Sequence, residues 1–344
     1  MQLNFNENNG PVDAAIEDLI NLVGDVRRPW IVRKMILTAL KAGQEDNGGV
    51  DLKMMSTSLK EMRYTAKVFG DYNRFKKVTV FGSARTQPEE KIYDMARQMG
   101  KRLAESGYMV ITGGGPGIMQ AVHEGAGTEY SFGVNIQLPF EQHVNPVMIG
   151  DPKNITYKYF FNRKVAFLAK SDAVILFPGG FGTHDEAMET LTLVQTGKRN
   201  ALPLILVDEP GGSYWSGWIR FIQKELLAGG YINAFDINLF ERVENVEDAM
   251  AKINRFYFRY HSLRYVNGKT LLRLTSPIDP EQIDVLKVSF SDMLFPGGTI
   301  YLSGALPAEE DEPEISHLPR LVVDFNRKSF ARLKQLIDAV NEVT

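Results

Sequence analysis

Between residues 78 and 257 short apolar runs alternate with stretches of helical spacing, and this rhythm admits few architectures. Strand-like runs fall at 78–81, 109–112, 133–136, 173–177 and 202–207, with helical spacing near 93–106, 118–125, 157–169 and 186–196. Strands that read as continuous apolar runs are buried on both faces, which is the pattern of a parallel sheet covered by its own connecting helices. The expected fold is therefore α/β, a Rossmann-like doubly wound parallel sheet. In such sheets ligands bind beyond the carboxyl ends of the strands, so the loops after Phe81, Thr112 and Phe177 should converge on one pocket.

The flanks follow other patterns. Ile16, Leu19, Ile20 and Val23, then Ile31, Met35, Ile36 and Leu40, then Leu52, Met55, Leu59 and Met62 repeat at helical spacing with no strand-like alternation. Beyond His261 strand-like and helical runs are mixed, and the acidic, proline-bearing stretch 307–319 reads as a mobile loop. The expected division is a helical N-terminal extension (1–75), a Rossmann-like catalytic domain (76–258) and a small α+β C-terminal region (259–344). With no cysteine, disulfides, thiolate metal sites and cysteine nucleophiles are excluded. The net charge of −3 argues against nucleic acid or an acidic membrane as partner. No run approaches the roughly 20 apolar residues of a membrane helix. A cytoplasmic protein without cofactor or metal is expected, forming a homodimer or higher homo-oligomer, with apolar residues such as Leu191, Leu193 and Val194 open to that interface or to core packing.

The nonapeptide PGGFGTHDE, Pro178 to Glu186, stands between a strand-like run and a helical one. Gly179, Gly180 and Gly182 let backbone N–H groups approach an anion, Thr183 adds a hydroxyl, and a helix N-terminus adds partial positive charge. Glu186 adds a carboxylate that a pure phosphate binder gains nothing from, so it is read as acting on the rest of the ligand. The alternative is a glutamate that merely complements the helix dipole from the first turn. Two further glycine turns follow strands: Gly82-Ser83-Ala84-Arg85, and Gly113 to Met119 with Gly114, Gly115 and Gly117. The first is not G-x-G-x-x-G and the second strand ends in Thr112 rather than an acid, so a mononucleotide fits better than a dinucleotide. A phosphate loop ending in Lys-Ser/Thr is absent, which argues against ATP hydrolysis. Before the nonapeptide's strand, Arg163 and Lys164 point about 100° apart on a helix, so at most one need face the pocket.

In this order and spacing, GSAR, GGGPGIM, the Asn162-Arg163-Lys164 helix and PGGFGTHDE resemble the LOG ("Lonely Guy") family of nucleoside 5′-monophosphate phosphoribohydrolases, long labelled lysine decarboxylases. The resemblance covers roughly 78–257, and the flanks resemble those of a longer bacterial branch. It implies hydrolysis of the N-glycosidic bond of AMP, a cytokinin-type nucleotide or another monophosphate, yielding free base and ribose 5-phosphate. Arg163 and Glu186 would be catalytic, with Gly180, Gly182 and Thr183 on the phosphate and Lys164 in support. Gly82, Ser83, Arg85, Gly114, Gly115, Gly117, Met119, Pro178 and Gly179 complete the expected nucleotide site. A carboxylate beside the ribose would favour the cationic sugar of the transition state, and Arg163 would keep Glu186 ionised. The competing reading is a non-catalytic nucleotide or phosphorylated-cofactor binding or sensor protein. Amino-acid decarboxylation has no support, since no lysine here stands in a Schiff-base context.

Overall fold

The computed structural model describes residues 3–5, 8–46, 48–138 and 144–342, and the chain divides into two units, Met1–Tyr64 and Thr65–Thr344. The first unit holds α1 (Pro11–Val23), α2 (Pro29–Glu45) and the start of α3 (Val50–Gly70). Proline at the first turn starts α1 and α2, where its missing N–H costs no hydrogen bond. Leu3, Ile16 and Leu37 are buried together here, with Val12, Ile20 and Ile36 packed around them. No helix among the described residues is long and apolar enough to cross a membrane.

In the second unit, strands β1 (Lys77–Phe81), β2 (Met109–Thr112), β3 (Ser131–Ile136), β4 (Asn154–Tyr157), β5 (Ala173–Leu176), β6 (Leu204–Val207) and β7 (Glu241–Val243) form a sheet. Among the described residues every pairing in it is parallel, in the order β4-β3-β2-β1-β5-β6-β7. The helices are α4 (Lys91–Glu105), α5 (Ile118–Ala126), α6 (Phe160–Lys170), α7 (Phe181–Gln195), α8 (Tyr214–Phe221) and α9 (Val246–Phe256). Side chains alternate between the faces as a strand requires. Val78, Val80, Ala173 and Ile175 pack under α4, α5 and α9. Ile111, Phe132 and Val134 meet Phe69 and Phe167, while Val174 and Leu176 meet Ala187 and Trp215. The chain winds outward from β1 to β4, returns to pair β5 with β1, and winds the other way. That reversal opens a crevice at the carboxyl ends of β1 and β5.

Several elements depart from expectation. Tyr157 does not open a helix; it ends β4, opposite Ile136, and α6 begins at Phe160. Helix α7 begins at Phe181, not near 186, so most of the nonapeptide is itself helical. Strands β4 and β7, short and partly polar, had no readable alternation.

The C-terminal part adds β8 (Tyr260–Val266), β9 (Lys269–Leu274), α10 (Pro280–Ser289), β10 (Ile300–Ser303), β11 (Arg320–Val323) and α11 (Phe330–Glu342). Its strands are antiparallel in the order β10-β11-β9-β8, with Leu272, Leu274 and Leu321 packed on Ile283, Leu286, Leu333 and Ile337. Asn267 and Gly268, both at positive φ (47° and 80°), turn β8 into β9. The stretch expected to be mobile is anchored instead: Glu309 is buried and accepts from Arg273 Nε at 2.9 Å and Arg320 Nε at 3.1 Å.

Helices α4 and α5 touch backbone to backbone. A Cβ on Gly125 would stand 1.8 Å from the Arg97 carbonyl oxygen, and one on Gly100 2.0 Å from that of Val122. Gly125→Ala should force the pair apart and destabilise the fold by about 1–3 kcal/mol. Urea unfolding measures this, and an unmoved midpoint would contradict the close approach.

Candidate active site

The three loops meet through Ser83. Its N–H donates to the Pro178 carbonyl (3.0 Å), its own carbonyl accepts from the Ile118 N–H (3.0 Å), and its hydroxyl accepts from the Arg85 N–H (3.1 Å). Gly117 makes the second contact feasible: it sits at φ 68°, and a Cβ there would lie 2.3 Å from the Ser83 carbonyl oxygen. Around this junction opens a cleft of about 740 Å³ at the carboxyl ends of β1 and β5.

A buried polar cluster shapes the glycine loop from behind. The Gly114 N–H donates to Thr112 Oγ1 (3.0 Å), and the Gly114 and Gly115 carbonyls accept from the Asn145 backbone (2.9 Å) and side chain (3.2 Å). His123, fully buried in α5, places Nδ1 3.0 Å from Asn145 Nδ2 and Nε2 3.1 Å from Thr112 Oγ1 and 3.2 Å from the Phe132 carbonyl. Burial pulls its pKa down to about 4, so the ring is neutral at pH 7. His123 and Asn145 escaped the sequence reading; a histidine on the apolar face of α5 was the available signal.

Gly180 caps α7 without any side-chain acceptor, and its carbonyl takes the N–H groups of Thr183 (3.0 Å) and His184 (3.3 Å). Among the described residues the N–H groups of Gly180, Phe181 and Gly182 meet no acceptor. Together with the helix dipole they form an anion-attracting wall. Glu186 follows Gly182 by four residues, on the same face and about 6 Å further along the axis. It lies beyond the first turn, so complementing the dipole does not account for it.

Glu186 is 7% exposed, and its Oε2 has no hydrogen-bond partner among the described residues. Burial raises its pKa to about 7, against the pull of Lys164, whose Nζ lies 3.7 Å from Oε1. Arg163 was expected to hold Glu186 ionised, but Lys164 is the stronger influence of the two. Lys164 is itself shared, at 2.8 Å from Asp185 and 2.6 Å from Glu189. Arg163 instead lines the cleft. Its Nε donates to the Val134 carbonyl (2.8 Å), its Cζ lies over the Phe167 ring at 5.2 Å from the centroid, and its terminal nitrogens have no protein partner among the described residues.

Of the expected residues, Gly82, Ser83, Arg85, Met119, Arg163, Gly179, Gly180, Gly182, Thr183 and Glu186 line this cleft. Gly114, Gly115, Gly117, Lys164 and Pro178 stand behind it, shaping or charging what lines it. Phe160 and Phe181 flank the mouth, half-exposed and fully exposed. Phe140, an aromatic residue between β3 and β4, lies outside the described residues.

The family described as "Possible lysine decarboxylase" matches residues 110–253. A cytokinin riboside 5′-monophosphate phosphoribohydrolase of Arabidopsis thaliana is 27% identical over 190 residues, 54% of this chain and 83% of that protein. A second Arabidopsis thaliana protein, named "Probable cytokinin riboside 5′-monophosphate phosphoribohydrolase", is 30% identical over 162 residues, 46% of this chain and 77% of its own length. Among solved structures, the molybdenum cofactor carrier protein from Chlamydomonas reinhardtii is 20% identical with a TM-score of 0.34, covering 52% of this chain and 97% of that one.

Proposed function

The chain belongs to the LOG family, and from that premise we propose that it hydrolyses the N-glycosidic bond of a nucleoside 5′-monophosphate, releasing free base and ribose 5-phosphate. One observation carries this reading: the uncapped amides at the start of α7 and the buried Glu186 share one face of one helix, spaced like the two ends of a ribose 5-phosphate. The phosphate sits on the amides of Gly180 to Gly182, which brings the anomeric carbon to Glu186. As the C1′–N bond breaks, its electron pair leaves with the base and positive charge grows on the sugar. The Glu186 carboxylate stabilises that charge and takes a proton from the water whose oxygen bonds to C1′, while the departing base takes a proton from solvent and Glu186 then returns its own to solvent. The terminal nitrogens of Arg163 hold the base or the sugar hydroxyls. A non-catalytic binder would keep a half-starved buried carboxylate at a cost and with no return.

The test is free base released from a panel of nucleoside monophosphates, N6-substituted AMP included. Binding without release from any of them would favour the non-catalytic sensor. A pH prediction follows from Glu186. Only its ionised form accepts a proton, so kcat/KM should fall about tenfold per pH unit below about 7, where burial has moved its pKa. That limb lies above the substrate phosphate's own second pKa near 6. A profile flat from pH 6 to 8 would remove Glu186 from the proton-accepting role.

A further inference from the structure

We propose that the Tyr214 hydroxyl positions the phosphate-binding loop, by holding the Gly179 carbonyl and thereby aiming the Gly180 N–H into the cleft. The inference rests on the nucleotide reading above and adds a residue outside the nonapeptide. Tyr214 is the first residue of α8, donates its hydroxyl proton to the Gly179 carbonyl, and is not part of the cleft lining. A trans peptide is planar, so the Gly179 C=O and the Gly180 N–H point in opposite directions. With the carbonyl drawn outward to Tyr214, the N–H is turned toward the ligand. Two successive glycines place no Cβ barrier on rotation of this peptide plane, so the hydroxyl supplies the restraint that the backbone lacks.

The tyrosine is itself held at both ends, at its hydroxyl and at its backbone. His184 Nε2 lies 2.7 Å from it, and because the phenol proton goes to Gly179, Nε2 must carry a proton and donate to the phenol oxygen. On the other side, Asp208, buried at the end of β6, accepts the Trp215 N–H (3.2 and 3.3 Å) and pairs with Arg242 Nε at 2.7 Å. Arg242 also donates to the Gly212 carbonyl (2.6 Å), and Trp215 is fully buried. The start of α8 is therefore fixed relative to the sheet, and Tyr214 with it.

The experiment compares the full chain with Tyr214→Phe and His184→Ala, reading calorimetric affinity for ribose 5-phosphate, steady-state constants for the nucleotide, and affinity for the nucleoside that lacks the phosphate. Tyr214→Phe should weaken ribose 5-phosphate and raise the nucleotide KM by about five- to tenfold, with kcat held within about twofold and nucleoside affinity unmoved. His184→Ala, which removes the donor to the phenol oxygen along with a cleft-lining ring packed on Tyr214 and Trp215, should shift the same affinity by about two- to threefold. Unchanged ribose 5-phosphate affinity in both variants overturns the proposal. An equal loss for nucleoside and nucleotide also overturns it, because that marks general distortion of the cleft. If the unaltered chain binds ribose 5-phosphate yet releases no base, the hydrolase reading fails while this one is still decided by the variants.

Discussion

Glu186→Gln should lower base release by roughly 10²–10⁴-fold, the range over which a positioned proton acceptor contributes, while nucleotide binding survives. The same substitution should stabilise the unliganded protein above neutrality. Folding raises the Glu186 pKa from 4.5 to about 7, so the native state holds this proton more tightly than the unfolded chain does. A group raised in this way favours the fold fully below about 4.5, and that contribution is lost as pH climbs toward 7. Above that the ionised carboxylate costs roughly 3 kcal/mol at 1.36 kcal/mol per pH unit, and glutamine avoids it. The variant should therefore melt higher than the parent at pH 8, with the gap closing toward pH 5. Base release and two melting curves check both halves. Full activity in the variant would remove Glu186 from the chemistry. A gap that widens toward acid would show that folding does not raise its pKa.

The second large effect falls on Arg163. Arg163→Ala should reduce kcat/KM by about 10²–10³-fold, the usual cost of deleting a preorganised donor at a reacting centre. Arg163→Lys should recover little of it. The guanidinium is placed by three features that an ammonium on a different stem does not reproduce together: Nε bonded to the Val134 carbonyl, Cζ over the Phe167 ring, and an Nη2 lying where a Cβ on Gly113 would be only 2.6 Å away. Near-normal turnover in the lysine variant would show that charge alone suffices there.

The parallel sheet was legible because β1, β2, β5 and β6 are buried and mostly apolar, and burial on both faces writes itself into composition. The strands that escaped notice lack that signature. Asn154–Tyr157 mixes polar and aromatic residues at the sheet edge, and Glu241–Val243 is three residues long. The Asn267-Gly268 turn was a clear hairpin signal that went unused. Within the site, glycine spacing and the nonapeptide pointed to the cleft, because backbone approach to an anion leaves a residue-type trace. Contacts made between separate elements leave none. Lys164 reaching Glu186, His123 bracing Asn145, and Tyr214 reaching Gly179 each join residues between 22 and 35 positions apart. Which side chain meets which carbonyl at that range is decided by packing alone.

The pairing of β1 with β5 bears on how the molecule comes into being. Lys77 and Asp172, which tie these strands at one end, are 95 positions apart. At synthesis rates of about 5–20 residues per second, the open edge of β1 waits roughly 5–20 seconds for its neighbour to leave the ribosome. Until then the nascent chain holds the glycine turns of the first half without the nonapeptide that faces them. No partial product of translation that stops short of the nonapeptide can bind a nucleotide as the finished chain does, and that waiting edge is where a chaperone would have most to protect.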